Sequence, residues 1–337
     1  MLHSPDGKSD HKLVKRLSLG VLGGSAGIIG AIIAVGMYIV DVLIRPKRLE
    51  TLYDIYTFTP FELNLPAEEV EFAPLYGDHK VSGWYVPSPG ATTTILACPG
   101  YRGKRADMLG ICAHLWRAGH NVLVFEYYGH GALVGEPITL GYREINDFLG
   151  AVVYVRQRTP ETRIGAIGYS MGAAMTIMGA ARTDEVEAVV ADSAFATHRS
   201  PIAYAVNRTL HLPFIIFDWV TDSFLWLRAG YHFSQVEPLR DISHIAPRPV
   251  LLIHGEKDTI VDPHDAPLLY AAAGKPKELW MLPNTDHCGA YFTDRTGYVK
   301  KVSDFFDYYL RKKAPLVAPE QEDEAHRTLP PPLSEAS

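Results

Sequence analysis

Cysteine is scarce in this 337-residue chain: Cys98, Cys112 and Cys288 are odd in number and share no paired spacing. That excludes a disulfide framework and a cysteine-based zinc site. There is no His-Glu-x-x-His, and no Gly-x-Gly-x-x-Gly opens a helix. Gly100-Tyr101-Arg102-Gly103-Lys104 lacks the spacing of a phosphate-binding loop. Neither a metal nor a nucleotide cofactor is therefore expected. Basic residues are not in excess either. The net charge of -6 gives no ground for a nucleic-acid partner. Internal repeats are absent. Most telling, residues 17–40 contain no charged residue at all.

That uncharged run, LSLGVLGGSAGIIGAIIAVGMYIV, is long enough to cross a hydrocarbon core as a helix, which takes about 20 residues. It exceeds the apolar core of a signal peptide, and no A-x-A site follows it. It reads as an uncleaved single-pass anchor over 17–44, after a polar N-terminus at 1–16. Gly20, Gly23, Gly24, Gly27 and Gly30, with Ala26 and Ala34, form small-xxx-small spacings that would admit another helix. Basic residues flank both ends (Lys12, Lys15 and Arg16; Arg45, Lys47 and Arg48), so the positive-inside rule hardly discriminates. We take the catalytic domain to be extracytoplasmic. A connecting arm at 45–68 carries Pro46, Pro60 and Pro66, and the proline-rich, acidic tail at 314–337 is expected to be disordered.

Between them, residues 69–313 alternate apolar strands with helices. A hairpin is expected from 70–76 and 81–86 around Gly77-Asp78. Strands follow at 92–98, 121–127, 163–168, 186–191, 249–254 and 278–282, with helices at 108–118, 143–158 and 299–311. Continuous apolar strands separated by helices imply a mostly parallel sheet covered on both faces. In such sheets the site lies beyond the carboxyl ends of the strands. Tyr101, His130, Ser170, Asp192, Asp258 and His287 each follow such an end.

Gly168-Tyr169-Ser170-Met171-Gly172, between an apolar strand and an apolar helix, has the Gly-x-Ser-x-Gly pattern of a nucleophile elbow. The strained serine exposes its hydroxyl, and the residues two before and two after it come too close to carry side chains. The helix that follows aims free N–H groups at the same point. Residues 195–245 break the alternation and are rich in large apolar side chains: Tyr204, Phe214, Phe217, Trp219, Phe224, Trp226, Tyr231 and Phe233. They read as a helical cap that partly lines an apolar acyl site.

Gly-Tyr-Ser170-Met-Gly, His254-Gly-Glu-Lys-Asp258 and Pro-Asn-Thr-Asp-His287, in that order, resemble the α/β-hydrolase superfamily over about 69–310. The nearest branch looks like the membrane-anchored, dienelactone-hydrolase-like and prolyl-oligopeptidase-like serine hydrolases. The resemblance implies that Ser170 is the nucleophile, His287 the base and Asp258 the residue that orients it. It implies an oxyanion hole from the backbone N–H groups of Tyr101 and Met171. Asp262 competes for the acid role and His130 for the base. Asp192 is expected to tie down the loop under the cap, and Cys288 to be a packing residue. The histidine must be neutral to act, so rate is expected to rise through the range of a free histidine, about pH 6 to 7. The expected activity is hydrolysis of an ester or thioester through an acyl-enzyme, on a small-molecule or lipid-like acyl substrate. An acylpeptide-hydrolase-like peptidase and a non-catalytic binding protein are the rivals. The region before residue 69 is short for a propeller, which argues against the large-domain peptidases.

Overall fold

A computed structural model describes residues 27–45, 58–131 and 136–312. The first part of the apolar run, most of the connecting arm and the acidic tail lie outside these residues. Eight strands form one sheet: β1 Glu68–Phe72, β2 Val81–Val86, β3 Thr93–Cys98, β4 Asn121–Phe125, β5 Arg163–Tyr169, β6 Val186–Asp192, β7 Val250–Gly255 and β8 Lys277–Leu282. Their order is β1-β2-β4-β3-β5-β6-β7-β8. β2 runs antiparallel to both neighbours, pairing Val70 with Gly83 and Tyr85 with Leu123, and every later pairing is parallel. The expected hairpin forms, although β1 ends at Phe72, short of the predicted residue 76.

The apolar runs make strands buried on both faces, because alternate side chains enter different cores. Leu96, Cys98, Leu123 and Phe125 join one hydrophobic cluster. Their neighbours Ile95, Ala97, Val122 and Val124 join the other. Helix α1 is Gly27–Ile44. It is followed by α2 Leu109–Arg117, α3 Glu144–Arg158, α4 Met171–Ala180, α5 Arg199–Leu210, α6 Ile215–Ala229, α7 Pro238–Asp241, α8 Asp265–Ala272, α9 Ala290–Thr293 and α10 Arg295–Phe306. Helices α3, α4 and α8 supply Phe148, Met175 and Leu269 to the first core. Helices α2 and α10 supply Leu115 and Phe306 to the second. α8 has no counterpart in the sequence reading, and the closing helix begins at Arg295, ahead of the predicted 299.

The insertion between β6 and β7 is helical, formed by α5, α6 and the short α7. Its aromatic residues divide. Phe214, Phe217, Tyr231 and Phe233 are buried, whereas Trp219 and Trp226 face outward. The helical insertion is as expected, and of its aromatic residues Trp219 and Trp226 are turned away from the interior. An α-helix has two sides, and composition alone does not orient them. The end of α1 docks on this domain, with Val40 and Ile44 buried in the first core. Gly27 and Gly30 have no neighbour close to where a side chain would stand. The close helix contact falls instead at Gly36, where an added Cβ would lie 2.7 Å from Val220 Cγ1 of α6. Gly20, Gly23, Gly24 and Ala26 lie outside the described residues.

Candidate active site

Ser170 stands between β5 and α4 with φ 55° and ψ -117°, a strained conformation for a residue with a side chain. Its N–H donates to Asp192 O at 2.8 Å, and its carbonyl accepts from Ala174 N at 3.1 Å. A Cβ on Gly168 would lie 2.2 Å from Gly172 O, so the turn admits only glycine there. Gly172 is needed for a different reason. A Cβ on it would lie 2.1 Å from Cys98 O, where α4 passes the end of β3. The elbow is thus tight against the end of β3 as well as across itself.

Asp258 and His287 are brought together from loops after β7 and β8. His287 Nδ1 lies 2.7 Å from Asp258 Oδ2, and the aspartate side chain is fully buried. Gly255 makes this possible: a Cβ there would lie 2.3 Å from Thr285 O, so the histidine loop crosses directly over the end of β7. Lys257 N donates to that same carbonyl at 2.9 Å. Asp286 Oδ1 accepts from Thr259 N and from His287 N, knitting the two loops further. Burial pushes the Asp258 carboxyl up, but His254 and His287 beside it outweigh that and hold it well below the usual carboxylate range. His254 Nε2 also lies close to this carboxylate, 3.1 Å from Asp258 Oδ2. Asp262 points elsewhere, to the exposed His264 at 2.8 Å.

Ser170 makes no side-chain hydrogen bond to His287 among the described residues. Cys288, next to His287, donates its N–H to Ser193 Oγ at 3.1 Å. Ser193 Oγ in turn donates to Asp192 Oδ1 at 3.0 Å. Asp192 therefore holds Ser193, the first residue of the loop that leads into the cap, and through it reaches the histidine loop. Burial raises its carboxyl from 3.8 to about 6. Burial also pushes the Cys288 thiol well up, which keeps it protonated and removes it as a nucleophile. The sequence reading gave no role to Ser193, nor to His254 and Gly255, although the last two stand in the motif that ends at Asp258. The one available signal was their place at or next to the end of an apolar strand.

Tyr101 and Met171 flank Ser170 from the loop after β3 and from the start of α4. Gly100 lies against the elbow, since a Cβ on it would be 3.4 Å from Ser170 Cβ. Neither Tyr101 N–H nor Met171 N–H donates to a protein acceptor among the described residues. His130 fixes the Tyr101 loop: its Nε2 accepts from Arg102 N at 3.0 Å, so Nδ1 carries the proton and donates to Tyr128 O at 2.8 Å. The Tyr101 hydroxyl, pushed up to about 12 by burial, donates to Leu43 O at the end of α1 at 2.7 Å. Tyr204 of α5 donates to Asp258 O at 3.0 Å, so the cap is tied to the acid's loop.

A strained serine at a strand–helix turn, on a mostly parallel sheet of this order, defines a serine hydrolase of the α/β-hydrolase superfamily. The chain belongs to the prolyl oligopeptidase family, whose model matches residues 138–313. It is 28% identical to the uncharacterized protein YqkD of Bacillus subtilis, over 85% of this chain and 97% of that one. It is 25% identical to the protein bem46 of Schizosaccharomyces pombe, over 73% and 79%. Among solved structures it is similar to a Pyrococcus furiosus esterase, with TM-score 0.65 and 25% identity, covering 80% of this chain and 98% of that chain. An acylaminoacyl peptidase of Pyrococcus horikoshii shares the fold at TM-score 0.57 and 17% identity, covering 75% and 43%.

Proposed function

We propose that this serine hydrolase cleaves a carboxylic ester or thioester through a triad of Ser170, His287 and Asp258. The observation that carries the reading is the hydrogen bond of 2.7 Å between His287 Nδ1 and the buried Asp258. With Nδ1 so engaged, Nε2 is the ring's remaining proton acceptor. Ser170 Oγ attacks the acyl carbonyl as its proton passes to Nε2, and the carbonyl electron pair moves onto oxygen. Collapse expels the alkoxide or thiolate, which takes the proton from His287. Water, activated by the same imidazole, then releases the acid. The negative oxygen is met by the N–H groups of Met171 and Tyr101, and losing one such donor costs roughly 3–4 kcal/mol of transition-state stabilisation. Serine–base hydrogen bonds commonly tighten only when substrate is bound, which fits a Ser170 hydroxyl with no bond to His287 among the described residues.

An apolar cap and a helix with the composition of a membrane span favour an apolar acyl chain, from a lipid or a lipid-modified protein. The esterase activity named for the Pyrococcus furiosus neighbour supports the ester reading. Membership of the prolyl oligopeptidase family favours a second reading, release of an acyl group or residue from a short peptide. The test is labelling of the full chain by a fluorophosphonate probe, with esters of graded acyl length and matched N-acyl peptides as substrates. Labelling lost in Ser170→Ala, with turnover rising with acyl length, is expected. Labelling that survives Ser170→Ala rejects the nucleophile. Preference for acetyl esters rejects the lipid-like substrate, and faster peptide cleavage selects the second reading.

A further inference from the structure

Helix α6 turns one face to the protein and another to the outside. Phe217, Val220, Thr221, Leu225 and Ala229 are buried. Its acidic residues are also turned inward or along the protein. Asp218 accepts from Arg199 Nε at 2.7 Å, and Asp222 accepts from Phe233 N at 2.7 Å. Outward stand Ile215, Trp219, Trp226 and Leu227, with exposures of 75%, 79%, 47% and 66%. Scattered exposed apolar residues are ordinary, but four on one helix, two of them tryptophans, mark a contact surface.

Helix α1 indicates what covers it. Its mean hydropathy is 2.4 and only 17% of it is buried in the protein. The first charge after the uncharged run is Asp41, which sets where the helix leaves hydrocarbon. Gly36, the residue pressed against Val220 of α6, lies about 8 Å along the helix on the apolar side of Asp41. The contact therefore places α6 level with the end of the apolar span. Arg208, His211 and Arg228 are exposed at the ends of α5 and α6, where head groups would meet them. Tryptophans concentrate at this depth because the ring is apolar and its N–H is not.

We propose that the outward face of α6 lies in the bilayer interface beside α1, so that the cap as well as the anchor seats the hydrolase domain on the membrane. The proposal rests on α1 being a membrane span and not on the triad. It brings the cap against the phase in which acyl substrates dissolve.

The test uses the full chain in vesicles of dioleoyl phosphatidylcholine, part of it brominated near the head of the acyl chain. Tryptophan fluorescence should be quenched, and Trp219→Phe with Trp226→Phe should remove most of the quenchable signal. The three remaining tryptophans, Trp84, Trp116 and Trp280, sit within the hydrolase domain. As a second measurement, an environment-sensitive fluorophore on Leu227→Cys should shift to the blue when vesicles are added. Equal quenching in parent and double variant, or no blue shift, overturns the proposal. So does disulfide-linked dimer through Trp219→Cys, which would give the face to a second copy of this chain. Failure of the parent to float with vesicles removes α1 as an anchor and the proposal with it. Fluorophosphonate labelling, measured alongside, reports the catalytic reading separately.

Discussion

Ser170 is held in a conformation that costs about 1–3 kcal/mol, and the surrounding contacts impose it. Asp192 contributes twice, through its carbonyl to Ser170 N and through its carboxyl to Ser193, the support of the histidine loop. Its buried carboxyl titrates near 6 in the fold and near 3.8 when exposed. Below 3.8 both states are protonated and there is no cost. As pH rises towards 6 the unfolded state releases its proton first, so this group takes stability away over that window and no more above it. Asp192→Asn lacks the titration. Denaturant unfolding at pH 4 and pH 6.5 should show the variant gaining on the parent as pH rises. A pH-independent difference between them would refute the assignment.

Elements act here through their ends. The end of α1 accepts a hydrogen bond from Tyr101, whose backbone N–H is one of the two proposed oxyanion donors. α1 is thus joined to the site by one residue, and to the cap by Gly36 against Val220. Gly36→Ala adds a methyl where there is no room, and a crowded contact of this kind costs about 1–3 kcal/mol. Thermal unfolding in detergent should fall accordingly, and Val220→Ala in the same chain should restore much of the loss. If Gly36→Ala unfolds with the parent, the α1–α6 contact is not formed in solution.

At the scale of the molecule, the end of the apolar helix α1 is part of the folded domain. Val40 and Ile44 are buried in the core, and each such side chain is worth about 1.5–3 kcal/mol. Removing residues 1–48 should therefore lower the melting temperature and, through the freed Tyr101 loop, reduce kcat. Comparison of the full chain and the shortened chain in the same detergent checks both. Equal melting temperature and equal kcat would show that α1 carries no load in the domain.

Legibility in the sequence followed locality. The strands β3 to β7 were readable because a run such as TTILAC or VLLIHG can only be satisfied between two cores. The elbow was readable because its sterics act within five residues. α8 was not, since its eight residues are apolar nearly all round and carry no helical period. Gly36 was not, because the residue it meets lies in the cap, far along the chain.

Local sterics and burial, acting over a few neighbouring residues, let the sequence by itself determine the parallel sheet, the elbow at Ser170 and the apolar helix before it. Only tertiary structure decided that Asp258 rather than Asp262 meets His287, that Asp192 braces the histidine loop, and that Trp219 and Trp226 face out. Those outcomes depend on which loops cross at the sheet's end and which side of a helix finds a partner, and no short stretch of chain contains that information.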